Sequence, residues 1–376
     1  MKKLDIAVIG AGPAGLTTSL FIKKHEVVVF EEHSSPGIPK HCTGLVGRET
    51  YLFYKELLGE EIISNKYYGI IYHSPINTFF LYNKEPIAYR IERPLLEQKL
   101  VDQVTKLGHH IVFGEKAYPT NNPTCIKTRQ DEYEASTLVV SDGASSIFKR
   151  KYYHVKPKVI FGYQGVFRTT CVEDNYFHVV YDSRMTEFFG WLVPIDKDKV
   201  LIGYMTSATG VDPRKIFHYI SKRVRVKTGS LLETFGGLIP QDLPFRKPVY
   251  GDKIYFIGDA LPATKPYTGG GLYGIVKLSP ILGRSIEKKE PGTYLEAVMS
   301  LRKRFLLERI AVEYFRRIGY WKPTYIVSWL NRLGMFKADE YDKHYRLILK
   351  SIPVLPAIYT WLEFKTIFSR ISRRRS

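Results

Sequence analysis

Residues 10–15 read GAGPAG, and this segment limits what the chain can fold into more than any other. Leu4–Ile9, just before it, is a short apolar run of the kind that forms a buried strand, and Ala14–Ile22 reads as the helix that follows. Strand, glycine turn and helix together open a phosphate-binding βαβ unit. Gly10 permits the tight turn, Gly12 lets backbone approach a pyrophosphate, and Gly15 lets helix and strand pack closely. The helix N-terminus, with Ala14 in its first turn, presents N–H groups and a positive dipole end to phosphates. A second apolar run, Val27–Phe30, stops at Glu31, about 20 residues on, where a carboxylate suits the hydroxyls of an adenosine ribose.

Two later segments extend this reading. Thr137–Ser141 is a β-rich run that stops at Asp142-Gly143, and Lys253–Ile257 is another that stops at Gly258-Asp259. In an open parallel sheet ligands collect at the carboxyl ends of strands, so these two endings suit a long dinucleotide. With these residues the chain resembles the FAD-dependent reductases and hydroxylases of the glutathione-reductase-like fold. The resemblance implies an α/β architecture with a Rossmann-like FAD-binding domain. In it Asp259 holds the ribityl chain, and the turn at Asp142 and Gly143 helps close the site around FAD. The pattern R-x-x-L-E-x-x-L at Arg93–Leu100 resembles the helix by which that group sends an arginine to the cofactor, and Pro94 suits a first helical position. No second GxGxxG follows a strand, so no separate NADPH domain is visible.

The FAD-binding part reads as discontinuous, comprising residues 1–68, 92–155 and 250–290. Residues 69–91 and 156–249 carry period-two, aromatic and β-branched runs, at Tyr68–Tyr72, Thr78–Tyr82, Val159–Arg168, Phe177–Tyr181, Glu187–Val193 and Val200–Met205. These are expected to form antiparallel strands of an inserted β-sheet substrate domain. Residues 291–376 are expected to form a basic helical C-terminal region, with helical stretches at Tyr294–Phe315 and Tyr341–Leu349. The 376 residues allow two or three such units.

The formal net charge is +19, unevenly placed: from Arg302 onward 17 basic residues stand against 6 acidic ones. The segment Ile352–Phe364 interleaves Val354, Leu355, Ile358, Tyr359, Trp361, Leu362 and Phe364 with this charge, and the chain ends in SRRRS. Aromatics beside Lys and Arg suit an interfacial helix on an anionic membrane rather than a nucleic-acid surface. A packed helix pair with a solvated basic face is the alternative. Cys42, Cys125 and Cys171 lie far apart and make neither a disulfide framework nor a metal pattern. No apolar stretch approaches the roughly 18 residues of a spanning helix. The N-terminus enters its first strand too early for a targeting peptide. A cytoplasmic protein, peripheral on the inner face of the membrane, is expected.

Three further segments narrow the family. Phe189-Gly190-Trp191-Leu192-Val193-Pro194, then eight residues to Gly203, resembles the aromatic-x-Trp-x-Phe-Pro…Gly signature of the geranylgeranyl reductase family, with Val193 in place of Phe. In strand geometry Phe189, Trp191 and Val193 share one face, an apolar wall suited to a polyprenyl chain. Pro39–Gly44 resembles the family's P-x-x-C-x-G segment, which places Cys42 near the reactive face of the flavin and Gly44 beside the cofactor. Cys42 there packs, tunes the flavin or relays a proton, since an unperturbed thiol of pKa about 8.5 stays mostly neutral at pH 7. Residues 258–271 resemble the family's GD turn, proline and glycine run. Gly270 and Gly271 bring backbone to the flavin, and Leu272–Leu282 is the following helix, with Pro280 bending or ending it.

The resemblance therefore implies an FAD-dependent reductase of isoprenoid C=C bonds, acting on geranylgeranyl chains of archaeal membrane glycerophospholipids. Cys42 and Tyr267 are its candidate catalytic residues. The electron donor is left open among ferredoxin, NADPH and a quinol. An aromatic hydroxylase of the same fold is the alternative, and a non-enzymatic prenyl-binding relative is a third reading.

Overall fold

A computed structural model of the chain describes residues 1–170 and 173–351. Cys171, the aromatic stretch Ile352–Phe364 and the terminal arginines lie outside the described residues. The structure divides into two compact units. The first comprises Met1–Ser64, Arg90–Phe161 and Gly236–Leu306; the second comprises Asn65–Tyr89, Gly162–Phe235 and the chain from Leu307. Residues beyond 290 are thus shared between both units.

The first unit is built on a mainly parallel sheet. Its strands run in the order Val249–Tyr250, Ile254–Phe256, Glu132–Val140, Lys2–Ile9, Val27–Glu31 and His110–Phe113. The central strands are parallel, and helices precede or follow them in sequence. A strand buried on both faces cannot alternate apolar and polar residues, so it reads as a continuous apolar run. Ala7, Val8, Val27, Val29, Leu138, Val139, Val140 and Phe256 accordingly have no accessible surface.

The pairing register brings the sequence motifs together. Ile9 pairs with Val140 and with Phe30, and Val140 pairs with Phe256. All these strands run the same way, so Gly10, Ser141 and Ile257 leave the sheet at one edge. Backbone bonds tie the exits: Gly10 N donates to the Phe30 carbonyl at 2.8 Å, Ser141 N to that of Ile9 at 2.9 Å, and Ile257 N to that of Val140 at 3.0 Å.

The second unit carries a seven-stranded sheet, ordered Thr228–Pro240, Val159–Thr169, Lys199–Thr206, Gly190–Asp196, Tyr176–Val180, Gly69–His73 and Thr78–Tyr82. One expectation needs correcting. Tyr176–Val180 pairs with Gly69–His73 in parallel, with Phe177 opposite Ile70, because the two strands belong to separate insertions rather than to one hairpin. The helix Pro213–Val224, capped by the Asp212 side chain, packs Ile216, Phe217 and Ile220 onto Leu192, Ile202 and Tyr204 of this sheet. Neither this helix nor the long strand Thr228–Pro240 was expected from the sequence.

The helix after the glycine run also differs from expectation. It spans Leu272–Lys288 and continues through Pro280. Proline costs an interior helix a hydrogen bond and a clash. Here the apolar face that follows it, with Leu282 and Ile286 buried, carries the helix two turns further.

Candidate cofactor and active site

Each glycine of the GAGPAG segment has its own reason to lack a side chain. Gly10 sits at φ +99°, where a Cβ would lie 2.6 Å from the Ser141 carbonyl. At Gly15 a Cβ would meet the Ser141 hydroxyl at 2.6 Å and the Gly10 carbonyl closer still, so this glycine lets helix Pro13–Ser19 sit against the strand. At Gly12 a Cβ would meet nothing within 4 Å. Gly10 and Gly15 are demanded by the fold. Gly12 keeps a space open that the protein itself does not fill, beside the N–H groups that begin the helix.

Glu31, at the end of its strand, accepts from Ala11 N at 2.8 Å through one oxygen and from His33 N at 2.9 Å through the other. It therefore braces the glycine loop from the side on which a ribose is expected. Ala14 lies under the second turn: a Cβ on Gly258, at φ +64°, would stand 2.6 Å from that of Ala14. The Gly258-Asp259 turn thus rests on the first helix.

Asp142 and Asp259 end adjacent strands, and both carboxyls lie in poorly hydrated surroundings. Burial pushes Asp142 up to about 6, against hydrogen bonds from Ser146 and from the backbone of Phe148 and Ile147. One of its oxygens accepts from Ile147 N at 3.0 Å, while the other is buried with no partner among the described residues. Asp259 is likewise pushed up to about 6 by burial, against the pull of Arg93, Lys149 and His41. Its Oδ1 lies 3.0 Å from where a Cβ of Gly271 would stand, so the glycine run keeps the approach to this carboxylate clear.

Arg93 opens the helix Arg93–Lys106, and Pro94 falls within its first turn. Its guanidinium is held by Glu97, one turn on, with Nε at 3.0 Å and Nη2 at 2.5 Å. This is the physical content of the Arg-x-x-x-Glu spacing. Glu97, Cys42 and Tyr54 hold Arg93 fully charged despite its burial. Cys42 is exposed rather than a small buried filler, and accepts from Gly44 N through its sulfur at 3.4 Å. A Cβ at Gly44 would strike the Ile91 carbonyl, which pins this loop to the segment leading into Arg93. His41 faces the Gly236 carbonyl at 2.8 Å. Tyr267 is partly buried in the turn before Gly269, Gly270 and Gly271. Gly143, at φ +78°, has open space where a side chain would be.

Sequence reasoning missed two groups here. Lys149 is fully buried in the helix Ile147–Tyr153, with no hydrogen-bond partner for its ammonium among the described residues. The Thr268 hydroxyl, in the glycine run, is also buried without one. In sequence Lys149 sits beside Arg150 and Lys151 and reads as part of a solvated basic turn.

In the second unit, Leu192 points into the core under helix Pro213–Val224, and its neighbours point the other way. The Phe189 and Trp191 rings stand 5.9 Å apart, and Phe189 stacks on Tyr320 at 6.2 Å. Phe189 is 7% exposed and Val193 0%, so of the three only Trp191 keeps partial access. Trp191 pairs directly with Gly203 across the strands, and a Cβ there would lie 2.6 Å from the indole Nε1. The spacing between Trp191 and Gly203 is therefore a packing requirement: the indole lies over a residue with no side chain.

With a glycine loop, two partly buried aspartates and a clamped arginine at its strand exits, the chain has the fold of the flavoprotein oxidoreductases. Within that class the resemblance to the geranylgeranyl reductases holds along most of the chain. It is 25% identical over 315 residues to digeranylgeranylglycerophospholipid reductase 1 of Methanosphaera stadtmanae, covering 72% of each. An uncharacterized protein of Methanocaldococcus jannaschii is 26% identical over 297 residues, covering 76% of this chain and 75% of that one. Among solved structures, a geranylgeranyl bacteriochlorophyll reductase-like protein from Thermoplasma acidophilum superposes with a TM-score of 0.73 at 18% identity, covering 97% of this chain and all of that one. The p-nitrophenol 4-monooxygenase of Pseudomonas putida shares the fold at a TM-score of 0.68 and 15% identity, covering 95% and 99%. No family model matches the chain.

Proposed function

We propose that this protein is an FAD-dependent reductase of isoprenoid double bonds, acting on geranylgeranyl chains of archaeal-type membrane glycerophospholipids. One observation carries the reading. Gly12, Asp142 and Asp259 meet at one sheet edge with Arg93 and Cys42 in electrostatic reach, in a chain similar to proteins named for that reduction. The open space at Gly12 and the buried, unpartnered oxygens of Asp142 and Thr268 fit a polar dinucleotide.

FAD, when bound, supplies the hydride chemistry. The chain's own residues bind, orient and neutralise. The Gly10–Gly15 loop and its helix N-terminus would hold the pyrophosphate, Glu31 the adenosine ribose and Asp259 the ribityl hydroxyls. Gly270 and Gly271 leave the start of helix Leu272–Lys288 bare, and its dipole favours negative charge in front of it. Cys42 and Tyr267 are the proposed sources of the proton for the second alkene carbon. The face carrying Trp191 is the proposed wall for the prenyl chain, whose binding rests on apolar burial at about 25 cal/mol per Å².

Peripheral attachment to anionic membrane belongs to the same proposal. Helix Pro291–Ile318 presents Leu306, Leu307, Ile310 and Tyr314, each 42–57% exposed, at spacings that share one face. Lys303 and Arg317 lie exposed on the same helix. No helix among the described residues is long and apolar enough to cross a membrane. The electron donor is ferredoxin, NADPH or a quinol.

The test is anaerobic incubation of the dithionite-reduced protein with a geranylgeranyl phospholipid, geranylgeranyl diphosphate or a phenol. Reoxidation by the phospholipid, with a saturated product by mass spectrometry, is the expected result. Flavin that ignores both prenyl compounds, but hydroxylates the phenol once oxygen and NADPH are admitted, replaces this reading with the hydroxylase. Protein that takes up no flavin leaves the prenyl-binding reading.

A further inference from the structure

Lys149 combines two properties that rarely coincide. It has no accessible surface, and its ammonium has no hydrogen-bond partner among the described residues. Burying an unpaired ammonium is costly, so such a group persists only where other charges or a ligand compensate it. Its local support is clear. The Ser146 hydroxyl caps the helix by accepting from Lys149 N at 2.9 Å, and the ammonium lies 5.8 Å from the Phe245 ring centre. Three carboxylates reach it electrostatically: Asp242, Asp142 and Asp259. Asp242 is already engaged by Lys158 N at 3.1 Å. The other two flank the cofactor edge.

The groups around those two carboxylates single Lys149 out. Asp259 is faced by three cationic or titratable side chains, Arg93, Lys149 and His41. Arg93 is clamped by Glu97, and a ring nitrogen of His41 is turned to the Gly236 carbonyl. Asp142 is faced by the N–H groups that begin the Lys149 helix and, more distantly, by Lys116, which pairs with Glu32. Lys149 lies within electrostatic reach of both aspartates.

Resting on the FAD reading above, we propose that Lys149 is a positioning residue for the cofactor. Its buried charge keeps Asp142 and Asp259 ionised, so that both accept hydrogen bonds from the sugar hydroxyls at neutral pH. Burial pushes the two carboxyls up to about 6 and pulls the ammonium down, so each aspartate is within reach of neutralisation near pH 6. Removing the cation moves that neutralisation to higher pH.

The experiment titrates apoprotein with FAD, following quenching of FAD fluorescence from pH 5 to 8, for wild type, Lys149→Met, Lys149→Gln and Lys149→Arg. Wild type should hold constant affinity above pH 6 and lose it below, approaching tenfold per pH unit for one proton. In Lys149→Met and Lys149→Gln the break should move up by about one unit, giving a roughly threefold loss at pH 6.5 that grows toward tenfold at pH 5. Lys149→Arg should restore it. Two neutral variants are used so that misfolding of one, seen by circular dichroism, leaves the other. An unmoved break in a folded neutral variant overturns the proposal, as does an equal loss at every pH, which marks a packing role. Failure of wild type to bind FAD at any pH overturns the cofactor reading instead.

Discussion

Gly12 and Gly15 make opposite predictions, and together they test whether the GAGPAG loop is a cofactor cradle. Gly12 has φ −73° and ψ 176°, a conformation open to any residue, and a Cβ placed there would have nothing within 4 Å. Gly12→Val should leave the apoprotein as stable as wild type, or firmer by up to about 1 kcal/mol, because it restricts the unfolded chain. Gly15→Ala places its methyl 2.6 Å from the Ser141 hydroxyl and against the Gly10 carbonyl. Backbone cannot rotate away as a side chain can, so the helix must lift from the strand, at a cost of about 1–3 kcal/mol or more. FAD binding should respond in the other sense at Gly12. The two methyls occupy the space left for the pyrophosphate, and a loss on the order of 100-fold corresponds to about 2.7 kcal/mol. Urea denaturation of both apoproteins, followed by circular dichroism, and FAD titration of each variant give the four numbers. Wild-type FAD affinity in a folded Gly12→Val protein would refute the reasoning, and so would destabilisation of its apoprotein equal to that of Gly15→Ala.

Asp259→Asn should strip most FAD yet stabilise the apoprotein at pH 7. The carboxyl sits at about 6 when folded and near 3.8 otherwise, so the folded state binds the extra proton between those values and stability falls as pH rises through them. The gain at pH 7, up to about 3 kcal/mol, should vanish below pH 4; a pH-independent gain in urea midpoints would remove the burial argument. Gly203→Ala should destabilise by about 1–3 kcal/mol, and Trp191→Leu should relieve much of that. Strictly additive effects in the double mutant would mean that the indole does not rest on Gly203. Trp191→Ala should impair turnover of a twenty-carbon prenyl substrate more than a ten-carbon one, with flavin content unchanged; equal losses would leave the strand as scaffold. Replacing Arg370, Arg373, Arg374 and Arg375 together should weaken sedimentation with anionic vesicles at low salt by several kcal/mol at most, about 1 kcal/mol for each residue near the surface. Binding indifferent to lipid charge and salt would end the membrane proposal.

Much of the candidate site's backbone framework was legible in the sequence because its determinants are local. A glycine turn between an apolar run and a helix, and strands stopping at Asp-Gly or Gly-Asp, are backbone requirements written in consecutive residues. Parallel pairing then forces those endings to one edge. Arg93 and Glu97 were legible for the same reason, as one helical turn joins them. Tertiary structure alone decided the remainder. A residue's neighbours across a sheet depend on strand order, so the parallel pairing of Tyr176–Val180 with Gly69–His73 could not be read from either segment. The helix running through Pro280 follows from apolar packing that outweighs a local break. Lys149 shows the difference most sharply. Beside Arg150 and Lys151 it has the sequence of a solvated turn, yet only the fold buries it among Asp142, Asp242 and Asp259, because burial belongs to the packing of elements and not to the residues that form them.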